Sequence, residues 1–162
     1  WLLIANASDA FEPRLIPTAR AVNDGMPLHM VELTVDALAE AGVDVADATV
    51  AVLGYAYLEN SEDTRNSPSE VVVERLRELG AEVVIHDPYV AEYQGDLEER
   101  VRGCDAVVVM VAHEVYAAVH LPSLAREGPG PTAIVDGRRV IKGPNALSQR
   151  TAFRSLGSST SL

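Results

Sequence analysis

Cysteine is almost absent from the chain, and this scarcity narrows the chemistry that the chain can carry. Cys104 is the only cysteine among 162 residues. A single cysteine excludes an internal disulfide and a metal site built from several thiolates. Proteins without disulfides are typical of reducing compartments, so we expect a cytoplasmic location. Because Cys104 precedes an apolar run and has only Arg102 as a basic neighbour, we predict a packed thiol and not a nucleophile.

Positive charge is also scarce, and lysine is nearly missing. The chain has 24 acidic and 13 basic residues, a net charge of -11, and Lys142 is its only lysine. This balance argues against nucleic acid or an anionic membrane as a partner. Two interpretations stay open: a halophile-like protein whose self-repulsion is screened by high internal salt, or an acidic mesophilic protein with GC-biased codons. Unfolding below about 1 M salt would support the first interpretation.

Long hydrophobic runs and two common signatures are missing as well. The longest apolar run, AVVVMVA, begins at Ala106 and is far shorter than the roughly 20 residues that span a bilayer. The opening stretch WLLIANASDAFEPR has neither a basic start nor a small-residue cleavage site, so we expect no signal peptide. Only Gly54 follows the first apolar strand pattern, so a regular G-x-G-x-x-G dinucleotide turn is not indicated.

Two periodic patterns alternate along most of the chain. Short apolar runs predict four buried strands, and the segments between them carry the spacing of helices. The helix after the first strand has a clear start, because Ser67 can cap it, Pro68 suits its first position and Glu70 completes a capping box. This alternation predicts an α/β fold, a Rossmann-like three-layer domain with a parallel sheet. The strands are predicted within 49–53, 81–88, 104–112 and 131–137, and the helices within 67–79, 96–103 and 113–128, the last split near Pro122.

The two ends of the chain follow other patterns. Residues 12–41 have helical apolar spacing, with Pro27 inside, which predicts a kink or a break into two helices. A helix with an unpaired apolar face needs a partner, so we expect one or two helices in residues 1–46 that belong to a dimerisation element, to a fragment of a longer chain, or to both. The α/β domain is expected in residues 47–150. Residues 151–162 are rich in serine and predict a disordered or frayed tail.

Arginines mark the edge of the predicted sheet where ligands bind, beyond the carboxyl ends of the strands. Arg65 lies just before a helix N-terminus, which favours an anion, and can fork onto phosphate or carboxylate. Alternatively, it pairs at the surface with Glu62 or Asp63. Arg138 and Arg139 leave the fourth strand and are expected to point to opposite sides, so that one can reach the cleft while the other is solvated. Alternatively, both arginines are exposed to solvent.

Histidines also lie near the predicted strand ends. His86, Asp87 and His113 could bind a metal, but their spacing matches no zinc pattern, so we predict structural histidines. His113 followed by Glu114 looks like the start of a helix and not a catalytic pair.

Four segments together resemble a known family, the UDP-glucose/GDP-mannose dehydrogenases, which include the UDP-sugar 6-dehydrogenases. The segments are GYAYLENSEDTRNSP, IHDPYV, GCDAVVVMVAHEVY and IVDGRRVIKG, and they agree in order and spacing over about residues 48–145. Residues 1–32 are similar to the UDP-N-acetylmannosamine branch of the family, just past its catalytic cysteine loop. In the first segment the family pattern is matched at Gly54, Ala56, Tyr57, Ser61, Asp63, Arg65, Ser67 and Pro68.

The resemblance implies an enzyme that oxidises the C6 alcohol of a UDP-sugar to a carboxylate, in two hydride transfers to NAD, through a covalent intermediate on a cysteine. The NAD-binding domain and that cysteine are then expected upstream of Trp1. The chain would hold the UDP part of the substrate, with no catalytic residue and no metal, and would be inactive in isolation. The family's central helices form a dimer core, which implies a homodimer through residues 12–41.

Particular residues acquire expected roles from the resemblance. Tyr57 lies where an aromatic ring meets the nucleotide sugar, and Arg65 matches an arginine on the cofactor side of the cleft. Arg138 matches an arginine that contacts the sugar nucleotide, with Arg139 as its neighbour. Leu58 departs from the pattern, because the family has lysine there, so either Arg138 compensates or the substrate contacts differ.

Other functions stay open at this point. A stand-alone module could bind a nucleotide or UDP-sugar without chemistry, or the chain could be one part of a split enzyme. An unrelated flavodoxin-like domain would bind FMN and not UDP.

Overall fold

Parallel strands form the centre of the structure, a computed structural model that describes residues 14–118, 132–141 and 151–157. Five strands pair in the order β2-β1-β3-β4-β5, all parallel, so that their carboxyl ends share one edge. The predicted α/β fold is therefore confirmed. The described helices are α1 (Leu15–Glu40), α2 (Pro68–Glu78), α3 (Leu97–Val101) and α4 (Glu114–Ala118), and the strands are β1 (Thr49–Leu53), β2 (Glu82–His86), β3 (Ala106–Val109), β4 (Ala133–Asp136) and β5 (Ala152–Ser155).

An apolar core covers each face of the sheet, which confirms the three layers. Alternate residues of a strand point to opposite faces, so β1 contributes to both cores. Val50 and Val52 pack with α1 and α2, whereas Ala51 and Leu53 pack on the other side. That second core contains α3 and the ring of Tyr116 from α4.

Helix α1 runs without a break through Pro27, so of the two predicted outcomes the break into two helices is wrong, and a kink there stays a prediction. Proline removes one backbone donor from the helical ladder. Its neighbours in the next turns, Met30 and Val31, are buried in the same core as the sheet, and this packing favours the continuous helix. Gly42 has a φ of 79° and follows the last turn, as the sequence predicts for a helix end.

The end of the described chain is ordered, contrary to the frayed tail expected from residue 151. Residues Ala152–Ser155 form β5, which pairs with β4 and so satisfies that strand's backbone groups. The Arg154 guanidinium donates to the carboxylate of Glu40 at the end of α1. Residues 158–162 lie outside the described part. The division at residues 46 and 47 stays a prediction, although the second half of α1 shares one core with the sheet.

Helix α2 begins where the sequence predicts, with one difference in its cap. The Ser67 hydroxyl accepts from the Ser69 N–H at 3.2 Å, and Pro68 takes the first helical position. The Ser67 N–H donates to the Thr64 carbonyl and not to a Glu70 side chain, so the expected capping box does not form. The expected split near Pro122 lies outside the described residues. No described helix is long and apolar enough to cross a bilayer.

Candidate functional site

Gly54 lets the loop after β1 turn tightly across the carboxyl edge of the sheet. Its φ is 91°, a conformation that favours glycine. A Cβ atom at this position would lie 2.5 Å from the Val111 Cβ and 2.8 Å from the Val111 nitrogen. The Gly54 N–H donates to the His86 carbonyl at 2.8 Å, so the β1 and β2 ends stay together before the loop departs.

The carboxylate of Asp87, directly after β2, gathers backbone donors from two loops. Its Oδ2 accepts from the N–H groups of Tyr55 (2.7 Å) and Ala56 (2.8 Å) in the loop after β1. Its Oδ1 accepts from Tyr89 (2.8 Å) and Val90 (3.2 Å) in its own loop. Burial raises the pKa of Asp87, but the bonds from Ala56, Tyr89 and Tyr55 outweigh it, so the pKa is lowered and the group is a carboxylate.

His113, which follows β3, joins a third loop to this carboxylate. Its side chain is fully buried, and its Nε2 lies 3.1 Å from the Asp87 Oδ2. Its Nδ1 lies 3.0 Å from the backbone nitrogen of Asn60. A backbone N–H can only donate, so Nδ1 is the acceptor and Nε2 holds the proton of a neutral ring. Glu114 then begins α4, so the expectation of a helix start there is confirmed.

His86 is also satisfied within the fold. Its Nε2 lies 3.2 Å from the Gly95 carbonyl and its Nδ1 lies 3.0 Å from the Tyr116 hydroxyl, which also donates to the His86 carbonyl at 2.8 Å. Burial lowers the pKa of His86 and raises that of Tyr116. Both histidines are therefore structural, as predicted. In the described ranges no three side chains form a candidate metal cluster.

The loops after β1 and β4 meet through a pair of opposite charges. The Arg138 Nη2 donates to the Glu59 Oε1 at 3.1 Å, and both side chains are about half exposed. Tyr57 and Leu58, just before Glu59, are 51% and 59% exposed. The structure thus brings three predicted site residues, Tyr57, Leu58 and Arg138, to one edge of the sheet.

The two neighbouring arginines diverge. Asp136 is buried, and its carboxylate accepts from the N–H groups of Arg138 at 3.0 Å and Ile141 at 2.8 Å, which fixes the turn after β4. Arg139 has a φ of 55° within this turn. A Cβ added to Gly157 would lie 3.2 Å from the Arg139 Nη2. Arg139 therefore extends beside the end of β5, whereas Arg138 extends towards the loop after β1.

Arg65 forms the surface pair that the sequence left as its alternative. Its Nε and Nη2 donate to the two carboxylate oxygens of Asp63, at 2.8 and 2.6 Å. Hydrogen bonding to Arg65 lowers the pKa of Asp63 to about 2. The Arg65 side chain is 84% exposed, so it is accessible to a ligand that displaces Asp63.

Cys104 is a packed thiol, as predicted. It is buried, and its Sγ lies 3.4 Å from the Arg100 carbonyl. Burial raises its pKa to about 11, so the reactive thiolate is disfavoured.

The sequence interpretation missed two residues that organise this edge, Glu59 and Asn60. It expected Asp136 at the ligand edge of the sheet but did not assign its role in the turn. Glu59 was visible only as one of several acids in the loop. Asn60 has a φ of 54°, which asparagine tolerates better than most residues. Asp136 lies between a strand and a glycine, a sequence signal for a turn.

Comparison with known proteins shows which family these segments belong to. Residues 51–143 match the family described as "UDP-glucose/GDP-mannose dehydrogenase family, UDP binding domain". The UDP-N-acetyl-D-mannosamine dehydrogenase of Pyrococcus horikoshii is 38% identical over 144 residues, covering 89% of this chain and 34% of that protein. The UDP-glucose 6-dehydrogenase AglM of Haloferax volcanii is 28% identical over 150 residues, covering 86% and 33%.

Solved structures of dehydrogenases also resemble this chain. The UDP-D-ManNAc dehydrogenase from Pyrococcus horikoshii superposes with a TM-score of 0.84 and 36% identity, covering 95% of this chain and 35% of that one. The NDP-N-acetyl-D-galactosaminuronic acid dehydrogenase from Methanosarcina mazei Go1 gives 0.83 and 34%, covering 98% and 35%. The chain thus spans about a third of the length of these relatives.

Proposed function

Because the chain belongs to the UDP-glucose/GDP-mannose dehydrogenase family, we propose that its α/β domain binds the uridine diphosphate part of a UDP-sugar. The ligand lies at the carboxyl edge of the sheet, between the loops after β1 and β4. Strand ends of parallel sheets bind ligands in this way. The match of residues 51–143 to a UDP-binding domain covers both loops.

The contact between Arg138 and Glu59 supports the proposal most directly. An arginine fork suits phosphate as well as carboxylate, and Arg138 is accessible at the edge where the loops meet. The Glu59 carboxylate accepts from the Arg138 guanidinium at the position that we assign to the diphosphate. The diphosphate displaces Glu59 and binds Arg138, with Arg139 as the neighbouring cation. Tyr57 contacts the nucleotide sugar, and Leu58 supplies an apolar contact where the family has a lysine.

For the whole enzyme, we propose oxidation of the C6 alcohol of a UDP-sugar in two steps, with NAD as the acceptor. UDP-N-acetylmannosamine is our first candidate, because the Pyrococcus relative bears that name. NAD is bound mainly by residues outside these 162, and Arg65 turns to the cofactor side once it leaves Asp63. Cys104 is buried and its pKa is raised to about 11. Cys104, the single cysteine of the sequence, is therefore unsuited as the nucleophile, and we expect no turnover from these 162 residues alone.

The runner-up function is a module that binds a UDP-sugar without chemistry. The unreactive setting of Cys104 is the observation that favours it. Reduction of NAD with a UDP-sugar by these 162 residues would contradict both the expected inactivity and this second function.

Calorimetric titration with UDP, UDP-glucose and UDP-N-acetylmannosamine tests the binding proposal, with FMN as a negative control. Arg138→Ala is expected to weaken UDP binding at least about tenfold, because a charged hydrogen bond is lost. Arg75→Ala is the matched control, since Arg75 forms a surface pair with Glu78 on α2. The proposal fails if the unaltered chain does not bind UDP, or if the two arginine variants bind it equally.

Two substitutions in the loop after β1 sharpen the same test. Glu59→Gln removes the competing carboxylate and is expected to tighten UDP binding about two- to threefold, the range of a half-exposed ion pair. Leu58→Lys supplies the cation of the family pattern and is expected to tighten it as well. Weaker UDP binding by both variants would indicate that the diphosphate binds elsewhere.

We also propose a homodimer through residues 12–41. The described part of α1 leaves Leu15 and Val22 81% and 64% exposed. Sedimentation of the chain and of Val22→Glu tests this, and a monomer at all concentrations contradicts it. A cytoplasmic location stays a prediction from the sequence.

A further inference from the structure

The exposed tip of the loop after β1 is held on each side by a hydrogen bond to a buried side chain. The tip is Tyr57 to Glu59. We assign ligand contacts to Tyr57 and Leu58, and Glu59 pairs with Arg138. On its N-terminal side, the Ala56 N–H donates to the Asp87 Oδ2 at 2.8 Å. On its C-terminal side, the Asn60 N–H donates to the His113 Nδ1 at 3.0 Å. We call Asp87, His113 and the Asn60 N–H the loop brace.

His113 connects these two hydrogen bonds to each other. Its Nε2 lies 3.1 Å from the Asp87 Oδ2, the atom that also holds Ala56. Asn60 has a φ of 54°, a sparsely populated conformation that persists only where the surroundings fix it. The neutral ring, which donates from Nε2 and accepts at Nδ1, is the form that makes both bonds. Both ends of the tip are therefore fixed to one buried network.

We propose that His113 is a positioning residue of the nucleotide-sugar site. It has no exposed surface, so it acts on the ligand through the residues that it holds in place, here those of the loop tip. By holding Asn60 close to Asp87, it fixes the positions of Tyr57, Leu58 and Glu59. It thereby also positions Glu59 as the partner of Arg138. The nature of the ligand rests on the proposed function, whereas the brace rests on the geometry alone.

Two substitutions at His113 separate its two hydrogen bonds. In His113→Asn, the amide oxygen comes near the position of Nδ1 and keeps an acceptor for the Asn60 N–H. In His113→Gln, the amide N–H reaches towards Asp87, and Asn60 loses its acceptor. Both variants lose the ring contacts with Tyr89 and Tyr116, whose centroids lie 5.1 and 5.5 Å away. A purely structural role of the ring would therefore affect the two variants alike.

The expected result is a difference between the variants. His113→Gln should weaken UDP binding about tenfold and His113→Asn less than about threefold, the effect of one buried hydrogen bond. Amide hydrogen exchange of Asn60 should accelerate about tenfold in the Gln variant and stay slow in the Asn variant. His29→Gln on α1 is the control, since His29 is half exposed and pairs with Glu32. It should change neither measurement.

A measurement on the unaltered chain stands independently of how the variants fold. Imidazole 15N chemical shifts should show His113 as the Nε2–H tautomer, with coupling across the hydrogen bond from Asn60 to Nδ1. An Nδ1–H tautomer, or equal affinity and equal Asn60 exchange in the Gln and Asn variants, overturns the inference. If the unaltered chain does not bind UDP, the proposed function fails, and the tautomer and Asn60 exchange still decide the brace.

Discussion

Two buried aspartates at the carboxyl edge of the sheet, Asp136 at the end of β4 and Asp87 directly after β2, have different roles. Each is 1% exposed or less. Within the described residues, the Asp136 carboxylate accepts from N–H groups of its own turn, those of Arg138 and Ile141. Asp87 accepts from its own loop, from the loop after β1 and from His113 after β3. The same residue type at a strand end therefore fixes one local turn in one case and ties three loops in the other.

The difference follows from the course of the neighbouring loop. Strand β1 lies between β2 and β3, and Gly54 turns its loop sharply at the sheet edge. The backbone N–H groups of Tyr55 and Ala56 are then left without strand partners, next to Asp87. A buried carboxylate meets such donors with strong, charge-assisted bonds. In the part of the chain that the structure describes, the donors to the Asp136 carboxylate belong to its own turn.

Removal of the Asp87 carboxylate should have the largest effect on stability. Asp87→Ala leaves four backbone N–H groups and the Nε2–H of His113 without an acceptor in the interior. We expect a loss of about 3 to 5 kcal/mol in the free energy of unfolding, measured in urea. The loss should be smaller when His113 is already replaced by Asn, which gives up the contact with Asp87, because the residues share one network. Additive losses would contradict the common network.

The turns after β1 and β4 should also differ in their tolerance of a methyl group. Gly54→Ala combines a positive φ with a Cβ 2.5 Å from the Val111 Cβ, so we expect a loss of about 2 to 4 kcal/mol. The matched change is Gly137→Ala, where the Cβ would lie 2.8 Å from the flexible end of Met30 and 3.0 Å from the Val109 oxygen. There we expect about 1 kcal/mol. Equal losses in urea unfolding would mean that the β1 turn is not the tighter one.

Loss of the Asp136 carboxylate should have a smaller and local effect. Asp136→Ala leaves two backbone N–H groups without acceptors, so we expect about 1 to 3 kcal/mol in urea unfolding. Amide exchange should accelerate at Arg138 and Ile141 and stay unchanged at Tyr55 and Ala56. Acceleration in both loops would show that Asp136 is coupled to the network of Asp87.

Much of this fold could be predicted because its signals are local. Apolar runs mark strands, and Ser67-Pro68 marks the start of α2. The unbroken α1 and the strand β5 could not be predicted in this way. In α1, burial of the second half outweighs one missing N–H at Pro27. Strand β5 is polar apart from Ala152 and Phe153, and its pairing with β4 decides its structure.

The candidate site was less accessible to the sequence than the fold. Arg65, Arg138 and Tyr57 were found because strand ends bind ligands and because a family pattern covers them. The contacts of Asp87 that hold the loop around Tyr57 were not predicted, since Asp87 lies 32 positions from Tyr55 and 26 from His113. The spacing of residues along the chain does not indicate such long-range contacts. Histidines beside strand ends indicated only that they would be satisfied, not which loop they would fix.

Asp63 completes the comparison as an exposed aspartate with a strong partner, and its effect on stability should be the smallest. Asp63→Asn should leave urea unfolding unchanged at pH 7, because the pair with Arg65 is largely solvated. Its titration should nevertheless differ from that of an ordinary carboxyl. Hydrogen bonding to Arg65 lowers the pKa to about 2, from 3.8, so any stabilisation is complete above about pH 4 and disappears as the pH falls towards 2.

Carboxyl 13C shifts should give a midpoint for Asp63 near 2, and Arg65→Gln should return it towards 3.8. If the midpoint of the unaltered chain is already ordinary, Arg65 does not hold Asp63 in solution. Arg65 would then be available to an anion without first leaving a partner, in contrast to Arg138, whose contact with Glu59 must break.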